Sequence, residues 1–79
     1  MILNFDTHNS MRLVPGMVIK CEAFRGGPLV YLLLKRVQGT RSYDVFWNCL
    51  LLDSGNETMT AGSLYSPDED FLRQGELLS

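Results

Sequence analysis

No apolar run in this chain is long enough to cross a membrane as a helix. The longest, residues 29–34 and 49–52, fall far short of the roughly 20 residues that a spanning helix needs. The N-terminus, Met1-Ile2-Leu3-Asn4-Phe5-Asp6, lacks the basic start and long apolar stretch of a secretory signal. Cysteine is scarce: Cys21 and Cys49 allow one disulfide and no metal quartet, whereas small secreted domains usually carry more. Two buried free thiols in a reducing cytoplasm are therefore expected, and Asn56-Glu57-Thr58 reads as a turn rather than a glycosylation acceptor. The single histidine, His8, lies in the polar stretch Thr7-His8-Asn9-Ser10, expected to be a mobile arm. No internal repeat or low-complexity segment is present.

What is there is enough for one small domain. Across 79 residues, 46% are hydrophobic and 20% charged, which excludes a disordered tail. A chain of this size buries only about 60% of its unfolded surface, so its own core is marginal and help from a partner, a tail or a ligand is expected.

The apolar residues recur with period two, the signature of strands. Over residues 17–24, Met17, Ile19, Cys21 and Ala23 alternate with Val18, Lys20, Glu22 and Phe24; the lysine and glutamate place the odd set toward the core. Val14-Pro15-Gly16 before it is a turn, and Arg25-Gly26-Gly27-Pro28 starts a loop. Further strands are predicted over residues 29–37 and 43–52, the latter with Tyr43, Val45, Trp47, Cys49 and Leu51 inward. Asp53-Ser54-Gly55-Asn56-Glu57 is a tight-turn signal, and a weaker fourth strand over residues 58–65 is interrupted by Gly62. The one helix start is Ser66-Pro67-Asp68-Glu69: Ser66 as cap, Pro67 in the first turn and Glu69 at the capping-box position. Phe71 and Leu72 can dock on the sheet, and Gly75 is a natural stop.

Four or five short strands joined by tight turns describe a small, bent antiparallel barrel. The run Val14-Pro15-Gly16-Met17-Val18-Ile19, a glycine loop, an aliphatic strand and then Tyr43-Asp44-Val45-Phe46-Trp47 resemble small Src-homology-3-like barrels of the kind found among tailed-phage accessory proteins. The resemblance covers residues 13–72. It implies an all-β barrel of four to five strands over residues 13–65, after an N-terminal arm of residues 1–12 and before a helical turn and acidic tail over residues 66–79. The aromatic cluster by which peptide-binding members hold proline-rich ligands is missing from the first loop, so that ligand class is not expected.

The informative anomaly lies on the two middle strands. Leu29, Tyr31 and Leu33 alternate with Val30, Leu32 and Leu34, so both faces are apolar; on the third strand Phe46, Leu50 and Leu52 face away from the inward set. Two apolar faces imply cover on both sides. The arm (Ile2, Leu3, Phe5) and the tail (Phe71, Leu72, Leu77, Leu78) are candidates within the chain. A protein interface built on Leu32, Leu34, Phe46, Leu50 and Leu52, with a homo-oligomer or other subunits as partner, is the favoured reading. The ends, residues 1–9 and 74–79, are expected to be flexible and to order on assembly.

Charge is asymmetric. Residues 12–41 carry Arg12, Lys20, Arg25, Lys35, Arg36 and Arg41 against Glu22 alone; residues 42–65 carry Asp44, Asp53 and Glu57; the tail carries Asp68, Glu69, Asp70 and Glu76 against Arg73. Mutual neutralisation between paired strands is the expected outcome. The alternative is a small barrel that holds single-stranded nucleic acid or a nucleotide through Lys20, Arg25, Lys35, Arg36 and Arg41 with stacking on Phe24, Tyr31 and Phe46, which a pI of about 5.1 disfavours. Arg25-Gly26-Gly27 lacks the helix and lysine-serine pair of a phosphate loop. A Cys-His nucleophile is disfavoured because both cysteines fall on inward phases, and Asp68-Glu69-Asp70 lacks the glycine of a calcium loop. The sequence thus predicts no enzyme, no cofactor and no metal, but a cytoplasmic interaction module, a subunit of an assembly such as a virion or a phage protein that binds a host factor.

Overall fold

A computed structural model of the chain describes residues 12–22 and 26–79. The elements run β1 (Val18–Glu22), β2 (Pro28–Gln38), β3 (Val45–Ser54), β4 (Leu64–Tyr65), a short helix α1 (Glu69–Arg73) and β5 (Glu76–Leu77). The five strands form one antiparallel sheet in the order β4-β3-β2-β1-β5. The all-β expectation holds. The sheet is not closed into a barrel: among the described residues β4 and β5, two residues each, are its edges and do not pair with each other. Helix α1 packs instead against β1 and β3, and its Leu72 is fully buried.

Alternation decides which side of the sheet becomes core. Ile19 and Cys21 of β1, Leu29, Tyr31 and Leu33 of β2, and Val45, Trp47, Cys49 and Leu51 of β3 are all buried, the inward set expected from period two. Tyr43 departs from it at 72% exposed. It precedes β3, in the turn after β2, where its hydroxyl accepts a hydrogen bond from Arg41 at 2.8 Å. The turn before β1 is as expected: the Met17 amide donates to the Val14 carbonyl at 3.3 Å, and Gly16 takes φ +93°, a position where an L side chain is strained.

Three local expectations are corrected. The fourth strand shrinks to Leu64–Tyr65, because residues 56–63 fold into successive turns closed by Met59 N–H on the Asn56 carbonyl (3.2 Å) and Ser63 N–H on the Thr60 carbonyl (3.2 Å). The helix begins two residues later than expected. Asp68 is the cap, accepting from the Asp70 amide at 3.0 Å, while Ser66 donates its hydroxyl to Asn48 Oδ1. Glu69 therefore sits in the first turn rather than at the capping-box position. Finally, residues 74–79 are not a loose end: β5 pairs with β1 through Ile19↔Leu77 and Lys20↔Glu76, and Leu78 N–H reaches the Val18 carbonyl at 2.8 Å. Gly75 lets the chain turn there. A Cβ on it would lie 2.6 Å from Ile19 Cγ2 and 2.7 Å from the Lys20 carbonyl. The expected arm falls outside the described residues except for Arg12, as do His8, Phe24 and Arg25.

Candidate functional site

Two β-bulges in the β2–β3 ladder shape the surface. From Tyr31↔Leu51 through Leu32↔Leu50 to Leu33↔Cys49 the register is regular. It then skips Leu34 on β2 before resuming at Lys35↔Asn48, and skips Leu52 on β3 before Val30↔Asp53. An inserted residue reverses the alternation beyond it. At Leu34 the reversal carries Arg36 onto the core-side face opposite Trp47 and leaves Lys35 outside. Both inserted leucines are 44% exposed.

The core-side consequence is a polar clip at one end of the sheet. Glu69, 8% exposed, accepts from Trp47 Nε1 at 2.9 Å and from Arg36 Nε at 2.9 Å, both on Oε2. Arg73, one helical turn on, lies 3.4 Å from Oε1. Burial alone would raise the Glu69 carboxyl, but the hydrogen bonds from Arg36 and Trp47 and the charges of Arg36 and Arg73 outweigh it and hold the group below its ordinary value. A buried carboxylate thus ties α1 to β2 and β3. Beside it opens a shallow cleft of about 180 Å³ lined by Arg36, Ser42, Tyr43, Val45, Asp68, Glu69 and Asp70, well under the roughly 300–1,000 Å³ of small-molecule pockets.

The outer face is of the opposite character. Val18, Leu32, Leu50 and Leu64 stand in direct register across β1, β2, β3 and β4, an unbroken aliphatic row. Its first three members are half-buried and Leu64 is 68% exposed. Leu34 and Leu52 flank the row. Of the five interface residues expected from sequence, the structure brings together Leu32, Leu34, Leu50 and Leu52. Phe46 stands apart, paired with Val37 beyond the polar Lys35↔Asn48 pair. Val18 and Leu64 were missed. The alternation of β1 puts Val18 on the face of Lys20, which reads as solvent, and Leu64 follows the glycine that broke the fourth-strand pattern.

The basic residues are dispersed. Lys20 lies on the outer face opposite Val30 and Glu76, Lys35 is exposed beyond the aliphatic row, Arg36 is committed to Glu69, and Arg41 lies in the turn, 5.8 Å from the Tyr43 ring centroid. Arg25 is outside the described residues. The cysteines are free and buried. Burial first, and then the nearby Glu22, pushes the Cys21 thiol up to about 11. Burial, and then Cys21, takes Cys49 up to about 12. Both are therefore protonated thiols at neutral pH. Among the described residues no group of three His, Cys, Asp or Glu side chains is placed to hold a metal ion, and no helix is long and apolar enough to cross a membrane. No protein-family model, no curated protein and no solved structure matches the chain at a significant level.

Proposed function

We propose that the protein is a small non-enzymatic interaction module whose outer sheet face binds a protein partner within a larger assembly. The observation that carries this reading is the row of Val18, Leu32, Leu50 and Leu64 across four strands, flanked by the bulged Leu34 and Leu52. Burying a fully exposed leucine contributes about 1.5–3 kcal/mol, so half-exposed Leu34 and Leu52 each gain a part of that, and a contiguous apolar patch on a small domain marks an interaction surface. The bulges strengthen the point. Leu34 and Leu52 lie on the outward phase of strands whose inward set is complete, and at the bulges both are 44% exposed.

The strand order, with a helical turn between the last two strands, supports a Src-homology-3-like arrangement for this open sheet. On that resemblance a phage virion subunit is the first assembly to examine, with a phage protein bound to a host factor as its variant. The test is photo-crosslinking in the cell that makes the protein, with a photoreactive residue at position 34, 52 or 64 and, as controls, at the exposed positions Thr40 and Glu57. Protein adducts from the three face positions and none from the controls are expected. Equal labelling at all five positions, or none anywhere, would sink the reading.

A further inference from the structure

We infer that the outer face takes a second copy of this chain, packed sheet on sheet, an inference that rests on the reading of that face as a protein-binding surface. The two middle strands carry a local two-fold relation about an axis normal to the sheet between Leu32 and Leu50, which are direct partners. An antiparallel pair always has this symmetry in its backbone; here the side chains follow it. Rotation carries Leu34 onto Leu52, the two inserted residues, each 44% exposed. It carries Val18 of β1 onto Leu64 of β4, the flanking members of the aliphatic row. It carries Lys35 onto Asp53, each exposed and next to its bulge. The aliphatic row and its two flanking leucines are thus matched in kind, Lys35 and Asp53 are matched in place but opposite in sign, and the match ends where Val30 falls on Asn48.

That pattern is what an isologous interface requires, since one surface must complement itself. When a second copy is laid face to face with the dimer axis along the aliphatic row, the row meets its own counterpart. Leu34 then lies beside the partner's Leu52, and Lys35 beside the partner's Asp53, with each contact occurring twice. Neither Lys35 nor Asp53 belongs to an ion pair among the described residues, so both charges are available. A differently shaped partner would have no need of a lysine and an aspartate related by the same axis as the leucines. Packed sheets stand about 10 Å apart, within reach of an extended lysine.

The experiment uses the whole chain in sedimentation equilibrium over a wide concentration range, with circular dichroism to confirm folding. Wild type is expected to move from 8.9 kDa to twice that mass. K35D places two aspartates against two, and D53K two lysines against two. Each should raise the dimer Kd by about tenfold, from two reversed surface pairs, with the difference shrinking at high salt. An equimolar mixture of K35D and D53K restores both opposite-charge contacts and should dimerise near wild-type affinity. A wild type that is monomeric at every concentration, single reversals that leave Kd unchanged, or a mixture no tighter than its components each overturn the inference. If the crosslinks at positions 34, 52 and 64 nevertheless yield adducts of another mass, the protein-binding reading stands and the self-association does not. If no adduct forms, both fall.

Discussion

The two ends of the Leu34 bulge make opposite uses of one inserted residue. On the core side, the reversed alternation delivers Arg36 to Glu69 and Trp47, so that the carboxylate brought under cover there accepts from both the guanidinium and the indole. On the outer side it leaves Lys35 next to Leu34, both of them exposed. A buried carboxylate is tolerable only with charge-assisted hydrogen bonds, and these hold the helix in place. An exposed leucine needs no such bonds and holds nothing in place within the chain. The clip therefore belongs to stability, whereas the exposed leucine is the feature on which the proposed interface rests.

Adjacent leucines give the sharpest test of that contrast. Leu33 is wholly buried and Leu34 is 44% exposed. Leu33→Ala should cost about 2–5 kcal/mol in chemical denaturation, whereas Leu34→Ala should stay within about 1 kcal/mol, measured at concentrations where the chain is monomeric. Equal losses would mean that Leu34 packs within the chain, and the outer face would lose its claim to be a binding surface. For the clip, Glu69→Ala leaves the Trp47 indole N–H without an acceptor and should cost about 1–3 kcal/mol. Arg36→Ala, which removes the half-exposed partner, should cost less, because solvent screens an exposed guanidinium. A reversed order would assign the tie to the arginine rather than to the indole.

The smallest effect is the pH dependence. Because the folded Glu69 carboxyl lies below its ordinary value, the unfolded chain binds the proton more readily. The stabilisation is present above the unfolded value and is lost as pH falls through the folded one. Melting temperature should therefore drop, as pH falls through and below the ordinary carboxylate range, more steeply for wild type than for Glu69→Gln, which keeps an acceptor for Trp47 but cannot titrate. Parallel curves would show that the clip does not depend on charge. Gly75→Ala serves as a check on the tail: the clash with Ile19 and the Lys20 carbonyl should release β5 and cost about 1–3 kcal/mol, an outcome that a loose tail would not show.

Much of the fold was legible. Period-two alternation identified three strands and the inward set from Ile19 to Leu51, because a half-buried strand needs no information beyond its own side chains. Val14-Pro15-Gly16 announced its turn through residues that restrict or free the backbone, whereas Asp53 and Ser54, expected in a turn, extend β3 opposite Val30 and Leu29. The anomalous second face was legible as well, since Leu32-Leu33-Leu34 and Leu50-Leu51-Leu52 break alternation within the chain itself. Three things depended on partners remote in sequence. The bulges are a matter of register between β2 and β3, and a lone strand has no register. Glu69 had every local reason to close a capping box, and only the arrival of Trp47 and Arg36 from two other strands drew it inward. The tail reads as polar and short, yet the open edge of β1 supplied the amides and carbonyls that β5 answers. Composition and alternation determined that this protein is a sheet with apolar residues on both sides. Tertiary pairing decided which side the residues beyond the bulges take, Lys35 outside and Arg36 on the core side, because that depends on where one strand slips past another.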